Sequence, residues 1–238
     1  MMTATTDFLG FRFEKGTREA LFERLIAMGR APYGYVVTPN VDFVNRAARD
    51  PEIRALYDGA AVHLCDSKVL TMMAKAKGVA LDCYPGSDLV ADLLARDGAG
   101  QRIAVVGPDA QDWQALVARY PAVSMTLIPS PAIMTPGSAE WRQCVTAAAG
   151  ADWDILLLCL GSPKQERFAQ DVGALRHAPG VAWCVGASID FLTGRQTRAP
   201  HWVRACHLEW LHRLASNPRR LWRRYLVEGP QIIRLLLQ

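Results

Sequence analysis

Short apolar runs alternate with helix-length segments along most of the chain, and this alternation constrains the fold more than any other feature. The apolar runs predict strands at residues 33–38, 62–66, 102–107, 123–128, 154–160 and 181–186. The segments between them predict helices at 41–58, with Pro51 starting a second piece, and at 109–120, 138–150 and 163–177. Because the runs lack strict apolar–polar alternation, they are typical of parallel strands covered on both faces. The pattern predicts an α/β fold with a doubly wound, mostly parallel, Rossmann-like sheet.

Charge divides the chain into two unequal parts. The 238 residues carry 27 Lys+Arg and 23 Asp+Glu, a net charge of +4. Residues 195–238 hold nine Arg and two Glu, a net charge of +7, so residues 1–194 hold 18 basic and 21 acidic side chains, a net charge of −3. This length suits one large domain with an appendage better than two full domains. We therefore predict an α/β body at 1–194 and a basic helical C-terminal appendage at 195–238.

The most basic part of the appendage has a helical pattern. Residues 219–226 (RRLWRRYL) alternate pairs of Arg with pairs of apolar residues. At about 100° per residue, the four Arg occupy one half of a helix and the apolar residues the other. One interpretation is a helix docked on the body with a solvated basic face. The other is an amphipathic helix that meets an anionic membrane or a phosphate group.

Several classes of protein are disfavoured by what the sequence lacks. No apolar run is long enough for a transmembrane helix, and residues 1–10 do not have the pattern of a signal peptide. The six cysteines are scattered without a C-x-x-C pair or a suitably spaced His, so we expect reduced thiols in a cytosolic protein and neither disulfides nor zinc. The phosphate-binding loop of NTPases and the glycine fingerprint of dinucleotide enzymes are both absent, which argues against a dehydrogenase or epimerase.

Polar residues follow several of the predicted strands. In parallel sheets, ligands bind outside the carboxyl ends of the strands, so these residues predict a ligand crevice. Each also has a structural explanation: Thr38 as a helix cap with Asn40 in a turn, Asp66 as a cap, and Glu166 as a partner of a helix dipole. Arg195 and Arg198 follow the last strand. Arg supplies 22 of the 27 basic residues, a bias that favours a phosphate-containing ligand but that GC-rich coding also produces.

Taken together, the segments resemble the WecG/TagA/CpsF glycosyltransferases, glycosyltransferase family 26. The matching stretches are TPNVDFVNRA (38–47), CDS (65–67), PGSDL (85–89), LGSPKQE (160–166), VGASIDFLTGRQTRAP (185–200) and LEWLHRLASNPRRLWRRYL (208–226). The resemblance implies an inverting transfer of a sugar from a UDP-sugar to a polyprenyl-diphosphate-linked saccharide. It implies a cytoplasmic protein, peripheral on the anionic cytoplasmic face of the inner membrane, with no cofactor, no obligatory metal and no nucleic-acid partner. A homo-oligomer is compatible with the sequence.

The resemblance also implies roles for individual residues. Asp66 matches the family's proposed base, which takes the proton of the acceptor hydroxyl. The positions that match substrate-binding segments are Thr38, Asn40, Lys164, Gln165 and Glu166. The positions that match the UDP-binding segments are Gly161, Gly186, Asp190, Arg198, Arg213, Arg220 and Arg223. Arg219 and Arg224 are neighbours that the sequence does not separate from these.

Two departures from the family pattern bear on specificity. Many members have A-D-G-x-G at the base segment, where this chain has Ser67 and Lys68 after Asp66. Many members also have Arg at the position of Cys83. The departures keep two alternatives open: a catalytically lapsed relative, and an adaptor that binds membranes or anions through its basic tail.

Overall fold

The fold is an α/β sandwich around a six-stranded parallel sheet, and it confirms the predicted class. A computed structural model describes residues 4–131, 133–195 and 231–236, together with positions 214, 222 and 229. The strands of the sheet are β3 (Gly34–Val37), β4 (Val62–His63), β5 (Ile103–Val106), β6 (Met125–Ile128), β7 (Ile155–Leu158) and β8 (Val181–Cys184), which follow the hairpin β1 (Thr5–Phe8) and β2 (Phe11–Glu14). They lie in the order β4-β3-β8-β7-β5-β6, and all neighbours are parallel.

Helices cover both faces of this sheet. The described helices are α1 (Arg18–Met28), α2 (Val41–Ala47), α3 (Pro51–Asp58), α4 (Lys68–Ala76), α5 (Gly86–Ala95), α6 (Ala110–Arg119), α7 (Ala139–Gly150), α8 (Lys164–Leu175), α9 (Ser188–Leu192) and α10 (Gln231–Leu236). Ala104 and Val106 of β5 pack into a layer with the hairpin, α2, α3, α4, α7, α8 and α10. Ile103 and Val105, which point the other way, pack into a layer with α1, α5, α6 and α9. Burial on both faces explains why the strands read as continuous apolar runs.

The N-terminal hairpin lies outside the elements that the apolar runs predict. Phe8, Phe11 and Phe13 are buried in the layer of the hairpin. Leu9 and Gly10 form the turn, with φ of 48° and 81°. Two positive φ values are typical of the type I′ turn that joins two twisted strands. A leucine in the first turn position hides this signal, because Asn, Asp or Gly is the usual residue there.

The end of the chain is attached to the body through α10. Ile232 is 4% exposed and belongs to the same layer as α2, and Leu235 and Leu236 pack against that layer. The basic segment 219–226, apart from the single position 222, lies outside the described residues. Its two interpretations therefore remain predictions.

Candidate active site

The carboxyl ends of β3, β8 and β7 are neighbours, and they bring most of the predicted segments to one edge of the sheet. Thr38 directly follows β3, and its hydroxyl donates to the carbonyl of Cys184 at the end of β8 over 3.4 Å. Gly86, the first residue of α5, packs against the same point. A Cβ atom there would lie 3.4 Å from Thr38 Oγ1 and 3.5 Å from the Cα of Val185. Gly86 is a site residue that sequence reasoning missed, because its contribution is the space that it leaves.

Two of the polar residues at this edge of the sheet, Asn40 and Ser67, are N-caps of helices. Asn40 is the N-cap of α2, and its Oδ1 accepts from the N–H of Asp42 over 3.0 Å. The expectation that Thr38 caps this helix is wrong, because Thr38 lies two residues too early. Ser67 is the N-cap of α4, with its hydroxyl accepting from the N–H of Leu70 over 3.2 Å.

Asp66 lies beside the turn that follows β3. Its N–H donates to the carbonyl of Pro39 over 2.9 Å, so the base segment and the TPN segment are in direct contact. The alternative of Asp66 as a helix cap is wrong, since Ser67 fills that position. The carboxylate of Asp66 is half-buried, and a carboxylate at the carboxyl edge of a parallel sheet can accept a proton from a hydroxyl.

Cys65, which precedes Asp66, lies beside Cys83, the position at which many family members have Arg. Cys65 and Cys83 pair as parallel β-partners, and the N–H of Tyr84 donates to the carbonyl of Cys65 over 2.9 Å. A hydrogen bond with Cys83, together with burial, raises the pKa of the Cys65 thiol. The position where many family members have Arg is thus paired with Cys65, the residue that precedes the candidate base.

The GSPKQE loop after β7 is fastened to α2 and α3. Arg46 donates to the carbonyl of Ser162 over 2.6 Å and pairs with Asp42 over 2.8 Å. The hydroxyls of Tyr57 and Ser162 share a hydrogen bond of 3.0 Å. Sequence reasoning missed Arg46 and Tyr57, although the spacing of Asp42 and Arg46 by four residues is a signal for a helical ion pair.

The exposure of the residues decreases along this loop from Gly161 to Glu166. Gly161 is exposed with open space where a Cβ would lie, and Lys164 at the start of α8 is half-buried. Gln165 is 2% exposed and Glu166 is fully buried. Glu166 therefore has no accessible surface for a ligand, and Gln165 has almost none. A loop of this kind presents its backbone and Lys164 to the crevice more readily than the two buried side chains.

Gln165 joins the loop to the turn after β8. Its Nε2 donates to Glu166 Oε1 and its Oε1 accepts from the N–H of Gly186, both over 2.8 Å. The same N–H also approaches the carbonyl of Leu158 over 3.2 Å. Gly186 has a φ of 56°, and the turn leads into α9 with Asp190 in its first turn. Burial raises the pKa of Glu166 to about 7.

Arg195, the last residue of the described range 133–195, is paired with the body. Its guanidinium pairs with Asp109 over 2.9 Å and also with Asp112, which accepts from the hydroxyl of Thr193 as well. Its charge is therefore compensated by α6 and its cap. The predicted UDP-binding residues Arg198, Arg213, Arg220 and Arg223 lie outside the described residues.

Features of other kinds of site are sparse across the described ranges. Within residues 4–131, 133–195 and 231–236, no three His, Cys, Asp or Glu side chains are grouped so that they could hold a metal ion. None of the helices described is both long and apolar enough to cross a membrane. Two surface cavities of about 260 and 410 Å³ lie around the N-terminal hairpin, and neither is lined by Thr38, Asp66, Gln165 or Gly186.

A family comparison covers the whole of this arrangement. The model described as "Glycosyl transferase WecG/TagA/CpsF family" matches residues 6–238, which includes the sheet, the segments at its carboxyl edge and the basic C-terminal part. Such membership supports a role in the synthesis of cell-surface polysaccharides. With the match extending over nearly its full length, the chain belongs to the WecG/TagA/CpsF family of glycosyltransferases.

Proposed function

We propose that the chain is an inverting glycosyltransferase that moves a sugar from a UDP-sugar to a polyprenyl-diphosphate-linked saccharide. The observation that carries this proposal is the place of Asp66, a half-buried carboxylate at the carboxyl edge of the sheet whose backbone contacts the turn after β3. The neighbouring ends of β3 and β8, with Thr38 between them, form the adjoining wall of the crevice.

In the proposed reaction, Asp66 is the general base. The acceptor hydroxyl attacks the anomeric carbon of the donor from the face opposite to UDP, and its proton passes to the carboxylate of Asp66. The bond between the anomeric carbon and the diphosphate oxygen breaks as the new glycosidic bond forms, and UDP leaves with the electron pair. One displacement of this kind inverts the configuration at the anomeric carbon.

Negative charge builds on the diphosphate as it leaves, and we assign its stabilisation to Arg213, Arg220 and Arg223. Guanidinium groups that are aimed at a developing charge lower the barrier, and Arg makes bidentate contacts with phosphates. No metal is required in this proposal. The support is the resemblance of the NPRR segment and the net charge of +7 in residues 195–238, against −3 in the rest of the chain.

The same basic segment would hold the protein on the membrane that contains the lipid-linked acceptor. Basic residues near an anionic surface contribute about 1 kcal/mol each, and Trp222 and Tyr225 suit the membrane interface. We therefore propose a peripheral enzyme on the cytoplasmic face of the inner membrane.

Substitution of the base tests this function most directly. Asp66→Asn keeps the size of the side chain but removes the proton acceptor, so we expect sugar transfer to fall by at least about a hundredfold while UDP-sugar binding persists. Asp58→Asn, at an exposed carboxylate that pairs with Arg54, is the matched control and should retain full activity. Near-normal turnover by Asp66→Asn would eliminate Asp66 as the base.

A donor screen tests the reaction class itself. UDP release is measured with UDP-ManNAc, UDP-ManNAcA, UDP-Glc and UDP-GlcA, each with a short-chain polyprenyl-diphosphate-saccharide as acceptor. Acceptor-dependent release from one donor is the expected result. Binding without release from any pair would favour a lapsed relative, for which the changes at Ser67, Lys68 and Cys83 provide a reason.

A further inference from the structure

Glu166 is a buried carboxyl that touches the site only through another side chain. It is fully buried in the first turn of α8, and its Oε1 accepts from Gln165 Nε2 over 2.8 Å. Its Oε2 is also buried and accepts no hydrogen bond of normal geometry from the described residues. Burying a carboxyl is costly unless it is hydrogen-bonded, so the contact with Gln165 matters to the stability of both side chains.

The orientation of the Gln165 amide depends on this carboxyl. An amide has two ends, and a flip by 180° exchanges its donor and its acceptor. A carboxylate on one side requires the N–H₂ end, which leaves Oε1 for the N–H of Gly186 over 2.8 Å. In the flipped orientation the carboxylate would face an oxygen and the Gly186 N–H would face another donor. Glu166 therefore selects the orientation in which Gln165 supports the turn after β8.

This turn leads to the segment that the family resemblance assigns to UDP. Gly186 has a φ of 56°, and two residues later α9 begins, with Asp190 in its first turn. We propose that Glu166 is a positioning residue, whose ionised carboxylate locks Gln165 against Gly186 and so holds the nucleotide-binding turn in place. The part that concerns the nucleotide rests on the proposed function, whereas the locking of the turn does not.

The surroundings of Glu166 make the lock sensitive to pH. The charged and titratable groups that face it are Arg46 from α2, Tyr57 from α3, Tyr35 from β3 and Cys184 from β8. Burial of the carboxyl raises its pKa to about 7, and this effect outweighs the opposing effects of its hydrogen bonds and of Arg46. The two tyrosines and Cys184 have raised pKa values and stay neutral at pH 7. Near neutrality, Glu166 is therefore the group that changes charge in this cluster.

The first test observes the turn directly and requires no substrate. The amide resonance of Gly186 is followed by NMR in [¹⁵N]glycine-labelled protein from pH 5.5 to 8.5. We expect a titration with a midpoint near pH 7 in the unmodified chain, and no such midpoint in Glu166→Gln, which keeps an acceptor oxygen but cannot ionise. Glu140→Gln, in the exposed first turn of α7, is the matched control and should titrate like the unmodified chain. A Gly186 amide that does not titrate, or that titrates equally in Glu166→Gln, overturns the proposal.

The second test measures UDP affinity by calorimetry at pH 6 and pH 8. At pH 8 we expect Glu166→Ala to bind UDP about tenfold more weakly and Glu166→Gln to recover affinity to within about threefold, because an acceptor oxygen remains. Between pH 8 and pH 6, the unmodified chain should lose more affinity for UDP than Glu166→Gln does. The phosphate of UDP also titrates in this range and affects both proteins. Glu140→Gln, which keeps Glu166, is the control that should lose as much affinity as the unmodified chain. Equal losses in Glu166→Ala and Glu166→Gln overturn the positioning role. If the unmodified chain does not bind UDP, the proposed function fails, and the Gly186 titration still decides whether Glu166 locks the turn.

Discussion

Ser67 takes the capping role that the sequence also allowed for Asp66. The sequence alone allowed Asp66 to act either as a helix cap or as a base. The Ser67 hydroxyl accepts from the N–H of Leu70 and fills the N-cap of α4. Serine is among the best N-cap residues, whereas the glycine that many family members have at this position is weaker. The departure at Ser67 thus strengthens α4 without using the carboxylate of Asp66.

A pH-dependent stability follows from the burial of Glu166. The pKa is raised from 4.5 to about 7 in the folded chain, so folding is accompanied by proton uptake between these values. The contribution of Glu166 to stability is fully present below about pH 4.5 and is lost as the pH rises through 7. Glu166→Gln should therefore gain stability relative to the unmodified chain between pH 5 and pH 8, by on the order of 3 kcal/mol.

Urea unfolding at pH 5, 6.5 and 8 measures this difference. Glu140→Gln is again the control, because the pKa of Glu140 is lowered and this exposed side chain stays ionised over the whole range. A stability difference between Glu166→Gln and the unmodified chain that is the same at all three pH values would contradict the raised pKa.

The sequence placed several polar segments at the carboxyl edge of the sheet, but it did not show which of their side chains are buried. The family resemblance implied that Gln165 and Glu166 bind substrate. Whether such a residue faces the crevice or the core depends on the helix that starts at Lys164, and one residue of rotation changes the answer. Gly86 and Arg46 could not be identified for a related reason, since each acts through a contact with a distant segment.

At the scale of elements, apolar runs predicted all six strands of the sheet to within a few residues. They succeeded because burial on both faces leaves no polar position in β5, β7 or β8. The hairpin and α1, α4, α5 and α9 were outside the predicted elements. Their patterns are weaker, since α1 mixes charged and apolar residues and the turn of the hairpin contains Leu9.

Arg176 secures the end of the sheet that lies opposite the site. Its guanidinium donates to four carbonyls, those of Ala149, Ala151, Trp153 and Pro179, and it lies 3.5 Å from the centre of the Trp153 ring. Burial lowers its pKa, and the hydrogen bonds that it donates within the described part of the chain go to carbonyl oxygens. Arg176 therefore satisfies carbonyl groups at the end of α7, in the connection to β7 and in the turn before β8.

Removal of this group should affect stability without affecting transfer. Arg176→Met leaves the four carbonyls without their donor, so we expect the free energy of unfolding to fall by about 3 kcal/mol. Arg142→Met, at an exposed Arg that donates to one carbonyl, should change it by less than about 1 kcal/mol. Urea unfolding measures both, and UDP release per folded molecule at low temperature should be unchanged. A loss of activity in the folded fraction would mean that the amino ends of the strands influence the site.

At the scale of the whole molecule, the basic segment is attached to the body on both sides. Arg195 is paired with Asp109 and Asp112 before it, and α10 packs on α2 after it. The charge difference between the two parts was visible in the sequence, because it requires only counting. The two attachments were not, since they depend on which acidic residues of the body lie nearest and on which face of α10 is buried.

In the proposed function, Arg213, Arg220 and Arg223 bind the diphosphate of UDP. Attachment of the chain on both sides of these residues would raise their effective concentration near bound UDP. Release of α10 should therefore lower that concentration. Ile232 is 4% exposed against the layer of α2, whereas Ile233 on the same helix is 53% exposed. Ile232→Asp should release α10 at a cost of about 2 kcal/mol of burial and leave the sheet folded. In the absence of vesicles, we expect its affinity for UDP to fall several-fold, because an end that is no longer held must be ordered on binding. Calorimetry measures the affinity, and Ile233→Asp is the matched control that should bind like the unmodified chain.

Two outcomes would contradict this prediction. Equal affinity of the two variants for UDP would mean that the basic segment reaches its ligand without help from α10. A gain in affinity for Ile232→Asp would mean that α10 holds the segment away from the site.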